Sequence, residues 1–355
     1  MLTILKSHTE PESWEHILSR SLTKPDDIPC LSNNDKRDIG NVVKKYPMLI
    51  NPYYFSLLKE SGSPLYKQAV PHTREITDSK GYIDPLHEEA LSPVPGLTHK
   101  YPDRVLFLVS SKCAMYCRFC NRKRKVGHDF MVNENTINEG LKYIKATKSV
   151  RDVLISGGDP LLLTDGKIEE LLIKIRSVQH VEIIRIGTRV PCTLPQRITP
   201  ALVETLKKFH PLYINTHFNH PWEITPFSAG ACRMLANAGI PLGCQTVMLK
   251  GINDDVDTML ELMRKLLSIR VRPYYLFQAD LAKGTSHFWT PLKKGIEIME
   301  GLQGVLSGIG VPRFVIDLPE GGGKIPITPE YIKGIKGDRL VIKNYKGHTY
   351  YYPVT

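Results

Sequence analysis

The chain has 355 residues, 42% of them hydrophobic, enough to bury the core of one large α/β domain with an appendage or of two modest domains, and too apolar for disorder. Lysine and arginine number 47 against 36 acids, a formal charge of +11 that suits an anionic small ligand, while no zinc-finger, RNP-type or aromatic–basic pattern points to nucleic acid. No apolar run approaches the roughly 18–20 residues that span a bilayer, the opening MLTILKSHTEPESWEH turns polar too early for a secretory leader, and seven cysteines without framework spacing argue against a disulfide scaffold.

These limits give the expectation of a cytoplasmic protein with no membrane segment. Residues 1–98 read as a helical and irregular segment, with an amphipathic run in NNDKRDIGNVVKKYP and a Pro/Gly-rich crossing stretch in SPVPGLTHKYPD. From residue 104 the pattern becomes regular. Short β-branched runs alternate with amphipathic stretches: RVLFLVS and ENTINEGLKYIKAT, DVLIS and GKIEELLIKIRSV, VEIIRIGT and TPALVETLKKF. LYINTHF and PFSAGACRMLANAG, IPLGCQTVML and DDVDTMLELMRKLLSI, VRPYYLFQ and KKGIEIMEGLQGVLSG follow, and PRFVIDL closes the series. That is the βαβ signal of a parallel sheet covered by helices. About six units and a seventh strand suggest an open or partial barrel, which periodicity alone does not separate from a flat sheet.

Nearly every strand is followed by a polar, Gly-rich or charged motif: the cysteine loop, SGGDP, GTRVP, THFNHP, LKGIND, ADLAKG and DLPEGGGK. Loops at the C-terminal ends of barrel strands converge on one mouth, so a single site built from all of them is the economical expectation.

In SSKCAMYCRFCNRKRKVG, Cys113, Cys117 and Cys120 form C-x3-C-x2-C. Zinc prefers four ligands, and His128 is available as a fourth. Three thiolates without a fourth cysteine suit a [4Fe–4S] cluster with one iron left open to an outside ligand. Cys30, Cys192, Cys232 and Cys244 read as ordinary buried thiols. Ser156-Gly157-Gly158-Asp159 is either a tight β-to-α turn with an aspartate cap or a place where backbone approaches a ligand. Lys324 ends GGGK, but a P-loop fails, because Leu318 occupies the first glycine position and Ile325 follows the lysine. The run Arg122-Lys123-Arg124-Lys125 reads as a basic patch or a solvated turn. Asp280 and Asp317 each follow a late strand, as turn caps or as two carboxylates facing each other across the mouth.

The C-x3-C-x2-C loop after the first strand resembles that of the radical SAM enzymes. The ordered set LTHKYPDRVL, CAMYCRFCNRKRKVG, DVLISGGDPLL, IGTRVPCTLPQRIT, NTHFNHPWEIT, VRPYYLFQADLAKG and FVIDLPEGGGKIPI resembles the lysine 2,3-aminomutase family, over about residues 46–345. The resemblance implies an α/β fold: an N-terminal helical segment (1–98), a radical SAM partial (βα)6-type barrel (99–318) and a short C-terminal extension carrying a cofactor lysine (319–355). It implies an isomerase that converts L-lysine to β-lysine through a 5′-deoxyadenosyl radical and a shift of the amino group. Its cofactors would be a [4Fe–4S] cluster on the three cysteines, S-adenosylmethionine at Ser156, Gly157, Gly158, Asp159, His217 and Gln245, and pyridoxal phosphate on Lys324 with Tyr101 and Arg104.

By the same resemblance Arg122 takes the substrate carboxylate and Asp280 and Asp317 its distal ammonium, with Lys123 to Lys125 left as surface or supporting charge. Lys324 would swing on a mobile glycine loop. The structural zinc of well-studied members is not expected, since Asp255 stands at a zinc-cysteine position and no cysteine follows Cys244. An electron donor such as flavodoxin or ferredoxin and a homo-oligomer are the expected partners, with no nucleic acid. An aminomutase for arginine or glutamate, one serving translation-factor lysylation, and a non-catalytic zinc or nucleic-acid binder remain the alternatives.

Overall fold

A computed structural model describes residues 12–29, 31–127 and 132–354; His128 and Cys30 lie outside them. The N-terminal part holds the short helices α1 (Trp14–Ser19), α2 (Asn33–Val43), α3 (Pro52–Ser56), α4 (Pro64–Ala69) and α5 (Arg74–Thr77). The regular series then builds a nine-stranded sheet in strict chain order. Its strands are β1 (Leu97–Tyr101), β2 (Arg104–Leu108), β3 (Asp152–Ser156), β4 (Ile183–Gly187), β5 (Leu212–Thr216), β6 (Leu242–Met248), β7 (Arg272–Gln278), β8 (Arg313–Leu318) and β9 (Gly323–Pro326).

Strands β2 to β8 are parallel neighbours throughout. The crossovers carry α6 (Glu134–Ala146), α7 (Asp165–Arg176), α8 (Val190–Thr193) with α9 (Pro200–Leu206), α10 (Pro226–Asn237), α11 (Val256–Ser268) and α12 (Leu292–Leu302). The structure therefore settles what periodicity left open. This is an α/β fold in which a parallel sheet curves into a nearly closed barrel.

The strand sequences explain which face is which. In β3, Val153 and Ile155 are buried under helices while Asp152, Leu154 and Ser156 are half-buried on the inner face, and β6 alternates in the same way. The helices answer with apolar stripes. In α11, capped by Asp255 accepting from the Thr258 amide at 2.8 Å, the buried residues are Met259, Leu262, Met263 and Leu266, one face of a 3.6-residue repeat.

Two edges depart from the sequence reading. SPVPGLTHKYPD is not only a crossing stretch, because β1 folds back antiparallel on β2. The GGGK segment is not a free loop either: β9 pairs antiparallel with β8, setting Lys324 opposite Asp317. The glycine-rich arm of β9 lacks the β-branched pattern that announces a strand, so the sequence hides it. The edge strand β1 is tied to the β8–β9 hairpin, with Lys100 Nζ on Asp317 of β8 at 3.0 Å and the Lys324 amide of β9 donating to Tyr101 Oη at 2.9 Å.

After β9 comes a separate antiparallel sheet of β10 (Ile332–Lys336), β11 (Arg339–Lys343) and β12 (Thr349–Pro353). Among the described residues no helix is long and apolar enough to cross a membrane.

Candidate active site

The cysteine loop leaves β2 and is stitched along β3. The Val109 amide donates to Ser156 O at 2.9 Å, Gly158 N to Ser110 O at 2.5 Å and Asp159 N to Lys112 O at 2.6 Å. Gly157 and Gly158 permit this approach, because a Cβ at either would lie 2.2 Å from Ser110 O or 2.4 Å from Lys112 O. The Asp159 carboxylate is buried and accepts from Thr188 Oγ1 at 2.7 Å and from the amides of Arg189, Val190 and Leu161. Burial pushes its carboxyl up to about 6 against those donors. Its visible work is to hold the loop after β4 against the cysteine loop.

The N-terminal segment grips the other side. Tyr116 N donates to Leu49 O and Arg118 N to Gln68 O, both at 2.9 Å. The Arg118 guanidinium is buried on Glu75, at 3.0 Å from Oε1 and 2.6 Å from Oε2, and Lys123 Nζ reaches the same Oε2 at 2.6 Å. Burial lowers Lys123 to about 8 in spite of Glu75. The basic run is thus not a solvated surface: Lys123 is buried, and Arg122, Arg124 and Lys125 are tied to Asp84, Glu88 and Glu89. A charge run reads as surface only while its counter-ions, here 34–48 residues upstream, are unseen.

Cys113, Cys117 and Cys120 are half-buried free thiols. Burial, then Asp159 and the other two cysteines, pushes the Cys113 thiol well up, and burial with Cys117 takes Cys120 to about 11. Cys192, Cys232 and Cys244 are buried free thiols, as expected. Beside Cys117 lies a group the sequence reading passed over. Arg189, from GTRVP after β4, places Nη1 2.8 Å from Cys117 Sγ, with Nη2 at 2.8 Å from both Gln68 Oε1 and Glu223 Oε1. Its only signal in the sequence was an arginine at a strand's C-terminal end.

His217 stands just after β5 and Gln245 on β6. His217 Nε2 lies 2.9 Å from Asn219 Oδ1 and its ring meets Phe119 edge-on at 5.6 Å. Burial and then Arg189 push it down to about 3, so it is neutral. Gln245 is half-buried, and its side chain has no protein hydrogen-bond partner among the described residues.

Across the barrel the remaining candidates meet at the seam between β1 and β9. Lys324 Nζ is 2.7 Å from Asp317, whose other oxygen takes Lys100. Arg104 lies over the Tyr101 ring at 4.1 Å, and Lys324 reaches the Phe277 ring at 5.6 Å. Asp280 accepts from Asn121 Nδ2 at 2.7 Å. Burial, with Asp317 adding to it, pushes the Asp280 carboxyl up to about 6, while Lys324 and Arg122 pull the other way. Arg122 spends Nε and Nη2 on Glu88 at 2.7 Å, leaving Nη1. Asp280, Asp317, Lys324 and Arg122 therefore share one electrostatic neighbourhood, at the mouth that also carries the cysteines.

Comparison with known proteins bears on this arrangement. Residues 107–263 match the radical SAM superfamily and residues 299–354 match a lysine-2,3-aminomutase family profile. An L-lysine 2,3-aminomutase of Fusobacterium nucleatum subsp. nucleatum is 52% identical over 321 residues, 89% of this chain and 76% of the relative. That of Clostridium subterminale is 50% identical over 89% of this chain and 77% of its own length. This chain belongs to the lysine 2,3-aminomutase family. It is accordingly an isomerase of the radical SAM superfamily. A glutamate 2,3-aminomutase of Clostridioides difficile is also similar, 41% identical over 95% of this chain and 82% of the relative.

Membership in the lysine 2,3-aminomutase family implies a [4Fe–4S] cluster and S-adenosylmethionine, and the residues present fit both. Among the described residues no three His, Cys, Asp or Glu side chains gather closely enough to hold one metal ion. The three thiols nonetheless feel one another, a spread suited to the corners of a polynuclear cluster. Gln68 Nε2 and Arg189 Nε, in the network of Cys117, are buried donors with no acceptor. Such donors are rare unless a ligand completes them.

Proposed function

We propose that the chain is a pyridoxal phosphate-dependent L-lysine 2,3-aminomutase forming β-lysine. The observation that carries this reading is the meeting of Asp280 and Asp317 beside Lys324 in one half-buried site. Two carboxylates at one place repel by several kcal/mol at intermediate dielectric unless a cation stands between them. In the free protein the cations are Lys324 and Lys100. A substrate's distal ammonium would take that role, whereas the side-chain carboxylate of glutamate would add a third like charge.

Lys324 would hold pyridoxal phosphate, and Lys100 and Arg104, flanking the Tyr101 ring at 5.8 and 4.1 Å, supply cations suited to its phosphate. Arg122 presents Nη1 to the substrate carboxylate. Cys113, Cys117 and Cys120 would carry the cluster. The sulfonium ligand would lie against the backbone of Ser156 to Gly158, with His217 and Gln245 on the inner face. When bound, these groups supply a one-electron route to a carbon radical and an electron sink beside the migrating nitrogen. The protein's share is to orient the substrate between Arg122 and the aspartates and to keep its hydrogen near the radical source.

Three reduced cluster thiols suit a cytoplasmic setting and an external one-electron donor. The C-terminal sheet, with Ile335 and Tyr352 68% and 63% exposed, supports association into a homo-oligomer. Asp255 serves as the cap of α11, which supports an enzyme without structural zinc.

The test is turnover of lysine, norleucine, arginine and glutamate by the reconstituted enzyme; equal rates on lysine and norleucine would refute ammonium recognition. Lys324→Ala is expected to retain the iron–sulfur spectrum while borohydride no longer fixes pyridoxal to the chain; labelling at another lysine would move the assignment. The pH profile follows from Asp280. Protonated below about 6, it lacks the charge that holds an ammonium, so kcat/KM for lysine is expected to rise with pH through that region. Asp280→Asn should flatten the rise.

A further inference from the structure

The contact between Arg189 and Cys117 joins a cation to one of the three thiols assigned to the cluster, at 2.8 Å from Nη1 to Sγ. Arg189 is 8% exposed and cannot lose its proton in a protein. Its position is fixed from three sides: its amide is held by Asp159, and Nη2 by Gln68 and by Glu223. Glu223 is fixed in turn, with Oε2 accepting from the amides of Asn219 and His220 and Oε1 from Tyr54 Oη at 2.8 Å. The result is a relay of sulfur, guanidinium and carboxylate, built from the loops that follow β2, β4 and β5.

We propose that Arg189 is a positioning residue that raises the cluster's reduction potential through Cys117, and that Glu223 restrains it. The proposal rests on the assignment of the cluster to these cysteines. Reduction places one electron from an external donor on a cluster already bearing three thiolates. A hydrogen bond from a cation to a ligand sulfur withdraws density and favours the reduced form. The Glu223 carboxylate on the opposite nitrogen cancels part of that charge in a site of low polarity. Arg189 and Glu223 therefore act in opposite directions on one quantity, which no packing role requires.

The test is an anaerobic redox titration of the full reconstituted chain, read by electron paramagnetic resonance without S-adenosylmethionine, beside iron and sulfide counts. Arg189→Gln is expected to shift the midpoint negative and Glu223→Gln, which keeps an acceptor but loses the charge, to shift it positive. Should Arg189→Gln lose its cluster, Arg189→Lys, with a shorter reach to the sulfur, must move in the same negative direction. Unchanged midpoints, shifts of the same sign in the two positions, or loss of the cluster from all three variants would overturn the proposal. Absence of a cluster from the wild type would instead defeat the cysteine assignment itself.

Discussion

Cys117→Ala is expected to lose the iron–sulfur cluster and, with it, all cleavage of S-adenosylmethionine. Only three thiols are offered by C-x3-C-x2-C, and the three are neighbours within one loop, so no spare ligand replaces the missing one. The substitution also removes the acceptor of Arg189 Nη1, leaving a buried guanidinium nitrogen unpaired, a loss of about 1–3 kcal/mol. Metal analysis and the absorption spectrum of the reconstituted variant check this, with the wild type expected to show about four iron per chain and no stoichiometric zinc. Full cluster content and cleavage in Cys117→Ala would refute the radical reading. A full equivalent of tight zinc in the wild type would refute the view of Asp255 as a helix cap alone.

Asp317→Asn is expected to cut lysine turnover roughly 30- to 1,000-fold, the effect of about 2–4 kcal/mol for one charge-assisted contact in a buried site. Asparagine keeps an oxygen for Lys324 and Lys100, which now stand at 2.7 and 3.0 Å from Asp317. The cluster and both organic cofactors should therefore remain. Asp280→Asn serves as an independent variant, since the Asp280 carboxylate bonds to Asn121 rather than to Lys324. Turnover of lysine and of norleucine by each variant separates loss of ammonium recognition from general damage. A wild-type preference for arginine over lysine would keep the carboxylates but assign them to a planar guanidinium.

Strand and helix order was legible because the parallel strands carry β-branched or aromatic residues and the longer crossover helices an apolar stripe, as in DVLIS and DDVDTMLELMRKLLSI. The barrel was legible from the number of units and the family resemblance rather than from periodicity, since the repeat is the same in a flat sheet. The thiols, the aspartate pair and Lys324 were legible as residue types with spacing or family precedent. Arg189 was not, because its partners Gln68, Cys117 and Glu223 lie 121, 72 and 34 positions away. The same distance blindness turned Lys123 into apparent surface charge. The partners of the Asp159 carboxylate, Thr188 and the amides of Arg189 and Val190, were hidden for the same reason.

The Arg118–Glu75–Lys123 cluster bears on how freely such a barrel could be exchanged between proteins. Glu75 comes from α5, and both cations belong to the cysteine loop. A barrel transplanted without α5 would carry two buried cations and no carboxylate, and breaking a buried pair typically costs about 3–5 kcal/mol. Residues 75, 118 and 123 must therefore be inherited together, and a chimera that joins the N-terminal helices of one relative to the barrel of another can keep its cysteine loop in shape only if it respects that triplet.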